Sequence, residues 1–279
     1  MSFVAGGGRL TRARWATYLT CGVIALAVIM LLAPLVMPFG GWRGLWLLTL
    51  GMLLLATAAL WRSRPAYRVA APAGRHPHPL AAAREALAQT EPWLLAAAMT
   101  CWTLQHYALI IWLPTYLREQ RDLAAPLVAL LSCLMVLANV PGNLIGGSLL
   151  QRHVPRGNLI VGANLAAGLC GLGVFAETLP DLLRYGLCLL LSFIGGVVPA
   201  SVLSSSASYA RTPKQIGTLQ GLYMQFGNIG PFIGPPLIAM LVAASGRWSD
   251  AMFVTGSAAL AGIALGLIIR KREMAAAKA

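Results

Sequence analysis

Charge is what this chain has least of. Of its 279 residues, 10% are Asp, Glu, Lys or Arg and 58% are hydrophobic. A soluble domain carries about 25% charged residues. The polar surface needed to face water on all sides is missing, so the solvent for most of the chain is lipid. Acidic residues are the scarcest, eight against 21 Lys and Arg. None falls in the middle of an apolar run, which excludes paired-carboxylate chemistry inside the membrane. The five cysteines, Cys21, Cys101, Cys133, Cys170 and Cys188, all lie in apolar runs without CxxC or zinc-ligand spacing. That pattern excludes a zinc site and reads as small buried hydrophobes. Walker, GxSxG and HExxH motifs are absent, and Gly6-Gly7-Gly8 follows no strand. His76-Pro77-His78 lacks a third ligand. The expectation is a chain that is not an enzyme, with no metal and no cofactor.

Long apolar runs are what the chain does have. A hydrocarbon core of about 30 Å takes roughly 20 helical residues. Eight spans fit, at about 16–39, 44–61, 93–117, 124–150, 158–176, 182–204, 216–244 and 250–269. Backbone amides find no water in lipid, so only helices or closed barrels cross it. The runs are too long and too uniformly apolar for barrel strands. The fold class is therefore an all-α membrane protein, a polytopic helical bundle of about eight transmembrane helices. The first run is too long for the apolar core of a cleaved signal, so it reads as a span.

The net charge of +13 points to topology before it points to nucleic acid, which is not an expected partner. With both termini and every second loop on one side, that side holds 16 of the 21 basic residues. Among them are Arg9, Arg12, Arg14, Arg62, Arg75, Arg152, Arg156 and Arg270–Arg272. Only Glu85, Glu91 and Glu273 offset them there. The opposite side balances five Arg against five acids. This is the positive-inside pattern of a multi-pass protein with both termini cytoplasmic, as in a bacterial-type inner (plasma) membrane. Lipid bilayer is the expected partner, its anionic headgroups included.

The longest polar stretch, 62–91, is rich in Arg and Pro, with a helical pattern over 81–89. It divides the chain into 1–61, a linker 62–91 and 92–279. The two spans before it match the last two. Both pairs carry prolines (Pro34 and Pro38; Pro231, Pro235 and Pro236), then a Gly/Trp/Arg turn (Gly41-Trp42-Arg43; Gly246-Arg247-Trp248), then an apolar run ending in basic residues. That repeat suggests the last two helices of one unit followed by a complete six-helix unit.

Several motifs resemble the major facilitator superfamily. Gly41-Trp42-Arg43 looks like the turn into its sixth helix, and Trp112-Leu113-Pro114-Thr115-Tyr116-Leu117 like the outer end of its seventh. Gly142-Asn143-Leu144-Ile145-Gly146-Gly147 with Arg152 and Arg156 is similar to its Gly-rich basic loop between helices eight and nine, although Ser148 replaces the usual acid. Gly230-Pro231-Phe232-Ile233-Gly234-Pro235 looks like its eleventh helix. The Trp-Leu-Pro segment is similar to cyanate-permease-like members. The resemblance implies two six-helix halves joined by a cytoplasmic loop. On that comparison this chain lacks the first four helices, 1–61 is the remnant of the N-terminal half, and 92–279 is the C-terminal half.

The polar groups at mid-span depth are the candidate binding residues. Trp102, Gln105 and His106 fall within two turns, with Trp102 and His106 on one face. Gln220, Tyr223 and Asn228 share a later span. Asn139 and Asn143 share another face. Lipid penalises such groups unless they bond between helices or line a path, and the residue pattern leaves both readings open. His106 is the one titratable group inside a span. As histidine ordinarily titrates near 6.5, it is either a proton or anion site or a neutral ring bonded to a neighbour. Arg152 and Arg156 are either a gating latch, pairing with a carboxylate or a helix end, or simple positive-inside charge. The expected function is secondary active transport of a small solute by alternating access, with an organic or inorganic anion favoured and proton coupling through His106. The alternatives are a transport-inactive fragment and a membrane scaffold subunit. GxxxG pairs at Gly142–Gly146, Gly217–Gly221, Gly230–Gly234 and Gly262–Gly266 predict close helix packing.

Overall fold

The computed structural model describes residues 8–63, 79–176 and 178–276, with backbone alone for 8–27, 59, 60, 63 and 79. The side chains of Arg9, Arg12, Arg14 and Cys21, and all of 64–78 including the His76-Pro77-His78 motif, lie outside the described residues. Among the described residues nine α-helices follow one another: α1 (Gly8–Ser63), α2 (Pro79–Leu87), α3 (Thr90–Glu119), α4 (Ala125–Gln151), α5 (Arg156–Phe175), α6 (Asp181–Gly195), α7 (Val197–Tyr209), α8 (Pro213–Ser245) and α9 (Ala251–Ala276), with a 3-10 turn Trp248–Asp250 before α9. Among the described residues there is no strand, and seven helices are long and apolar enough to cross a membrane. The count differs from the eight expected spans for a local reason. Spans 16–39 and 44–61 both fall in α1, which is interrupted only at Gly41 (φ 55°, ψ −157°), where the expected turn lay. Backbone at that pair of angles is open essentially to glycine alone. The protein is thus a multi-pass helical membrane protein.

The chain divides into two compact units. One is Met1–Pro77 with Leu117–Leu137; the other is His78–Tyr116 with Ala138–Ala279. In the first, α1 leaves Phe39, Trp46, Leu47 and Leu55 exposed, the apolar surface that a helix shows to hydrocarbon. The expected linker helix appears as α2, in the second unit.

The second unit buries Leu95, Ala98, Met99 and Trp102 of α3 with Ile160 of α5, Val198 and Val202 of α7, Leu219 and Tyr223 of α8 and Ile269 of α9. Three of the four GxxxG pairs bring backbones together here. Gly142 and Gly146 of α4 pack on Phe193 and Val197, Gly230 and Gly234 of α8 on Thr103 and Leu104, and Gly262 and Gly266 of α9 on Asn164 and Val161. Around the fourth pair, Gly217 and Gly221, a Cβ would meet nothing within 4 Å. Small residues gain stability in lipid by allowing such close packing.

Candidate functional site

The α6–α7 span is broken at Gly195–Gly196, just before Pro199. Proline supplies no amide to the preceding turn, which favours a break there. Asn139 of α4 donates to the Ser192 carbonyl at 2.9 Å, and Asn143 donates to the Asn139 side-chain oxygen at 2.6 Å. The two amides hold α4 against the break, the interhelical role weighed for them from sequence.

Trp102 lies on the other side of this break. Its Nε1 sits where a Gly195 side chain would be. The ring stacks on His106, with centroids 5.1 Å apart. Gln105, on the same side of α3, donates through Nε2 to Asn164 Oδ1 of α5 at 3.1 Å and to the Cys101 carbonyl at 3.2 Å. Trp102, Gln105 and His106 are all buried, at 8, 1 and 5% exposure. Three of their polar atoms lack partners among the described residues: Trp102 Nε1, Gln105 Oε1 and His106 Nδ1. A buried polar group left unbonded costs about 1–3 kcal/mol. All three belong to one side of α3.

The α8 residues are placed differently. Tyr223 shares the buried cluster with Trp102, but its hydroxyl accepts from Ser205 of α7 at 2.9 Å. Gln220 donates to Leu203 O and Ser206 Oγ, at 2.9 and 2.8 Å. Asn228 is exposed and bonds back to Met224 O at 2.9 Å. The α3 face turned to α8 carries instead Thr100, whose hydroxyl donates to Phe226 O at 2.8 Å, and Thr103. The structure therefore groups Trp102, Gln105 and His106, joins Gln220 and Tyr223 to α7, and leaves Asn228 apart.

At the basic end, the carboxylate of Glu273 accepts the Arg156 and Gly157 backbone amides, at 3.3 and 3.0 Å. A carboxylate on free amides of a helix's first turn is favourable. The Arg156 guanidinium donates to Ser208 Oγ at 2.9 Å, and Arg272 pairs with Glu91 at 3.0 Å. These bonds border a cleft of about 580 Å³ lined by Glu91, His153, Arg156, Tyr209, Arg272 and Glu273. Arg152 is exposed and in no ion pair among the described residues. Nearby, α2 docks on α8: Gln215 accepts the Arg211 amide at 2.7 Å and donates to Glu85 at 2.9 Å.

At the opposite end, Trp112 and Tyr116 of the Trp-Leu-Pro segment flank Trp248, with ring centroids 5.8 and 5.7 Å away. Trp112 also donates to Pro235 O at 3.0 Å. Arg184 lies over the Tyr116 ring, 5.5 Å from its centroid, and donates to Val174 O at 2.8 Å. The motif is an aromatic clasp joining α3, α8 and the start of α9.

Sequence reasoning missed Asn164, Arg184, Glu273 and the Ser201–Ser206 run of α7. Asn164 carried the signal that singled out Asn139, an amide inside an apolar run. Glu273 is the lone acid behind Arg270-Lys271-Arg272.

The described chain is multi-pass and helical, and three buried polar atoms of α3 lack partners among the described residues. The Major Facilitator Superfamily model matches residues 11–235, and the chain belongs to that family. That family is one of membrane transporters. It is 28% identical over 171 residues to a probable sulfoacetate transporter of Cupriavidus necator, a match covering 59% of this chain and 40% of that protein. It is 27% identical over 154 residues to a probable galactarate/D-glucarate transporter of Pseudomonas putida (52% and 33% covered). To one of Bacillus subtilis it is 26% identical over 182 residues (62% and 39%). The chain thus matches a third to two fifths of these relatives' lengths.

Proposed function

We propose that this chain takes part in secondary transport of a small organic anion by alternating access, with Trp102, Gln105 and His106 contacting the solute. The observation that carries the reading is the trio of unpartnered buried atoms on one face of α3. Buried polar atoms in a bundle find partners unless a ligand supplies them. The anion class draws on relatives named for sulfoacetate and for galactarate and D-glucarate. Gln220 and Tyr223 brace α7 beside the site, and Asn228 faces the open side of α8. The domain plan is 1–61 as the end of a first half, 62–91 as a cytoplasmic linker and 92–279 as the six-helix second half. The basic end, both termini included, faces the cytoplasm of a bacterial-type inner membrane, following its charge excess. Arg152 and Arg156, beside the Glu273 cap, form the cytoplasmic latch, and His106 is the group through which a proton is coupled.

The test is counterflow of labelled D-glucarate and sulfoacetate into liposomes carrying the chain, with and without a pH gradient. Uptake that falls at least about tenfold in Trp102→Leu and loses its response to the gradient in His106→Ala is the expected result. Uptake indifferent to both substitutions overturns this assignment.

A further inference from the structure

The hydrogen bonds around Gln105 decide which of its amide atoms is left over. Asn164 Nδ2 donates to the Ile160 carbonyl at 2.9 Å. A carbonyl only accepts, so the Asn164 NH2 points there and its Oδ1 faces Gln105. Gln105 must then present its own NH2, which reaches Asn164 Oδ1 at 3.1 Å and the Cys101 carbonyl at 3.2 Å. Reversing the Gln105 amide would set oxygen against two oxygens. The atom left buried and unpartnered is therefore Oε1, an obligate acceptor. On the same side of α3, Trp102 Nε1 is an obligate donor, also buried and unpartnered. His106 Nδ1 can donate or accept according to its tautomer.

A carboxylate or sulfonate oxygen satisfies Trp102 but meets Gln105 Oε1 as oxygen against oxygen. A hydroxyl set between the two atoms would satisfy both, its hydrogen going to Gln105 Oε1 and its oxygen accepting from Trp102 Nε1–H. We infer that the solute group seated on Trp102 and Gln105 is a hydroxyl, and that the chain selects hydroxylated organic acids over acids without one. This rests on the solute-site reading above and sharpens it. The two kinds of named relative differ on this point, since glucarate carries a hydroxyl on every inner carbon and sulfoacetate carries none. The atoms are closed off from solvent, so an analogue lacking the hydroxyl leaves them without even water as a partner. Sites built to bond a hydroxyl reject such analogues strongly.

The test compares D-glucarate with adipate, which has the same carbon chain and both carboxylates but no hydroxyl. Affinities are measured by calorimetry on the full chain in lipid nanodiscs. D-Glucarate is expected to bind about 10–100-fold more tightly, with the ratio falling toward one in Gln105→Met and in Trp102→Phe. The second variant keeps an aromatic ring in the core while losing the N–H with the pyrrole half of the indole, so it covers a folding failure of the first. Equal affinities in the unaltered chain overturn the hydroxyl proposal and leave the anion reading standing, because both acids bind. An unchanged D-glucarate preference in both variants overturns the assignment to these atoms. Binding of neither acid overturns both readings.

Discussion

Gln105 on α3 and Asn164 on α5 are joined Nε2 to Oδ1 at 3.1 Å, at a depth where each is 1% exposed. The bond ties two membrane helices and orients the amide whose oxygen remains free. It forms beside Gly262 of α9, where even a Cβ would overlap the Asn164 amide. A substitution on a third helix should therefore reach the site.

Replacing Asn164 with Leu removes one acceptor of the buried Gln105 NH2 and leaves it only the Cys101 carbonyl. The expected loss is about 0.6–2 kcal/mol, the range for interhelical hydrogen bonds in membranes and for lost buried bonds. Part of it returns in the Asn164→Leu, Gln105→Met double variant, because no donor is then left unpaired. A mutant cycle on unfolding in mixed micelles measures the coupling. Additive losses contradict the bond.

Gly262→Val should destabilise the fold by about 1–3 kcal/mol through overpacking against Asn164. Gly217→Ala should be neutral or stabilising by up to about 1 kcal/mol, since the site has open space and a helix prefers Ala to Gly. Thermal unfolding of the two variants side by side checks the contrast; equal effects contradict the packing described for the two GxxxG pairs.

Glu273→Gln removes the charge seated on the first amides of α5. Hydrogen exchange at Arg156 and Gly157 should speed several-fold, the equivalent of about 0.5–1 kcal/mol. Exchange unchanged at both amides contradicts the cap.

Tyr223→Phe removes the Ser205 bond but keeps the ring in the core. Stability should fall by about 0.5–1.5 kcal/mol, with organic-anion affinity altered less than about threefold. A larger change in affinity than in stability, measured by calorimetry and unfolding on the same samples, returns Tyr223 to the solute path.

The fold was legible because lipid simplifies the code. Charge-poor runs of about 20 residues have few alternatives to a membrane helix, and Gly41 marked the break in α1. Of the candidate site, the burial of its polar residues was legible in part. Polarity at depth singled out Trp102, Gln105 and His106 by the price of leaving them in hydrocarbon, and the same test applied to 158–176 would have added Asn164. Which polar residues bond to a neighbour and which stay free depends on helix rotation, which spacing alone does not fix. Gln220 and Tyr223 looked like Gln105 in sequence, yet their helix turns them toward the serines of α7. The partner of the Arg156 loop was hidden for a similar reason: Glu273 is more than a hundred residues away and meets backbone amides, which have no sequence signature.

Solute protection is the sharpest test of whether one face of α3 holds the solute. A cysteine is placed at His106 in a chain whose five cysteines are replaced by alanine, and a second is placed at Asn228 as a control. Alkylation by a water-soluble maleimide is timed in proteoliposomes with and without D-glucarate. The acid is expected to slow modification at 106 several-fold and to leave 228 within about twofold. Equal rates at 106 with and without the acid, in a chain that still takes it up, would place the solute away from this face of α3.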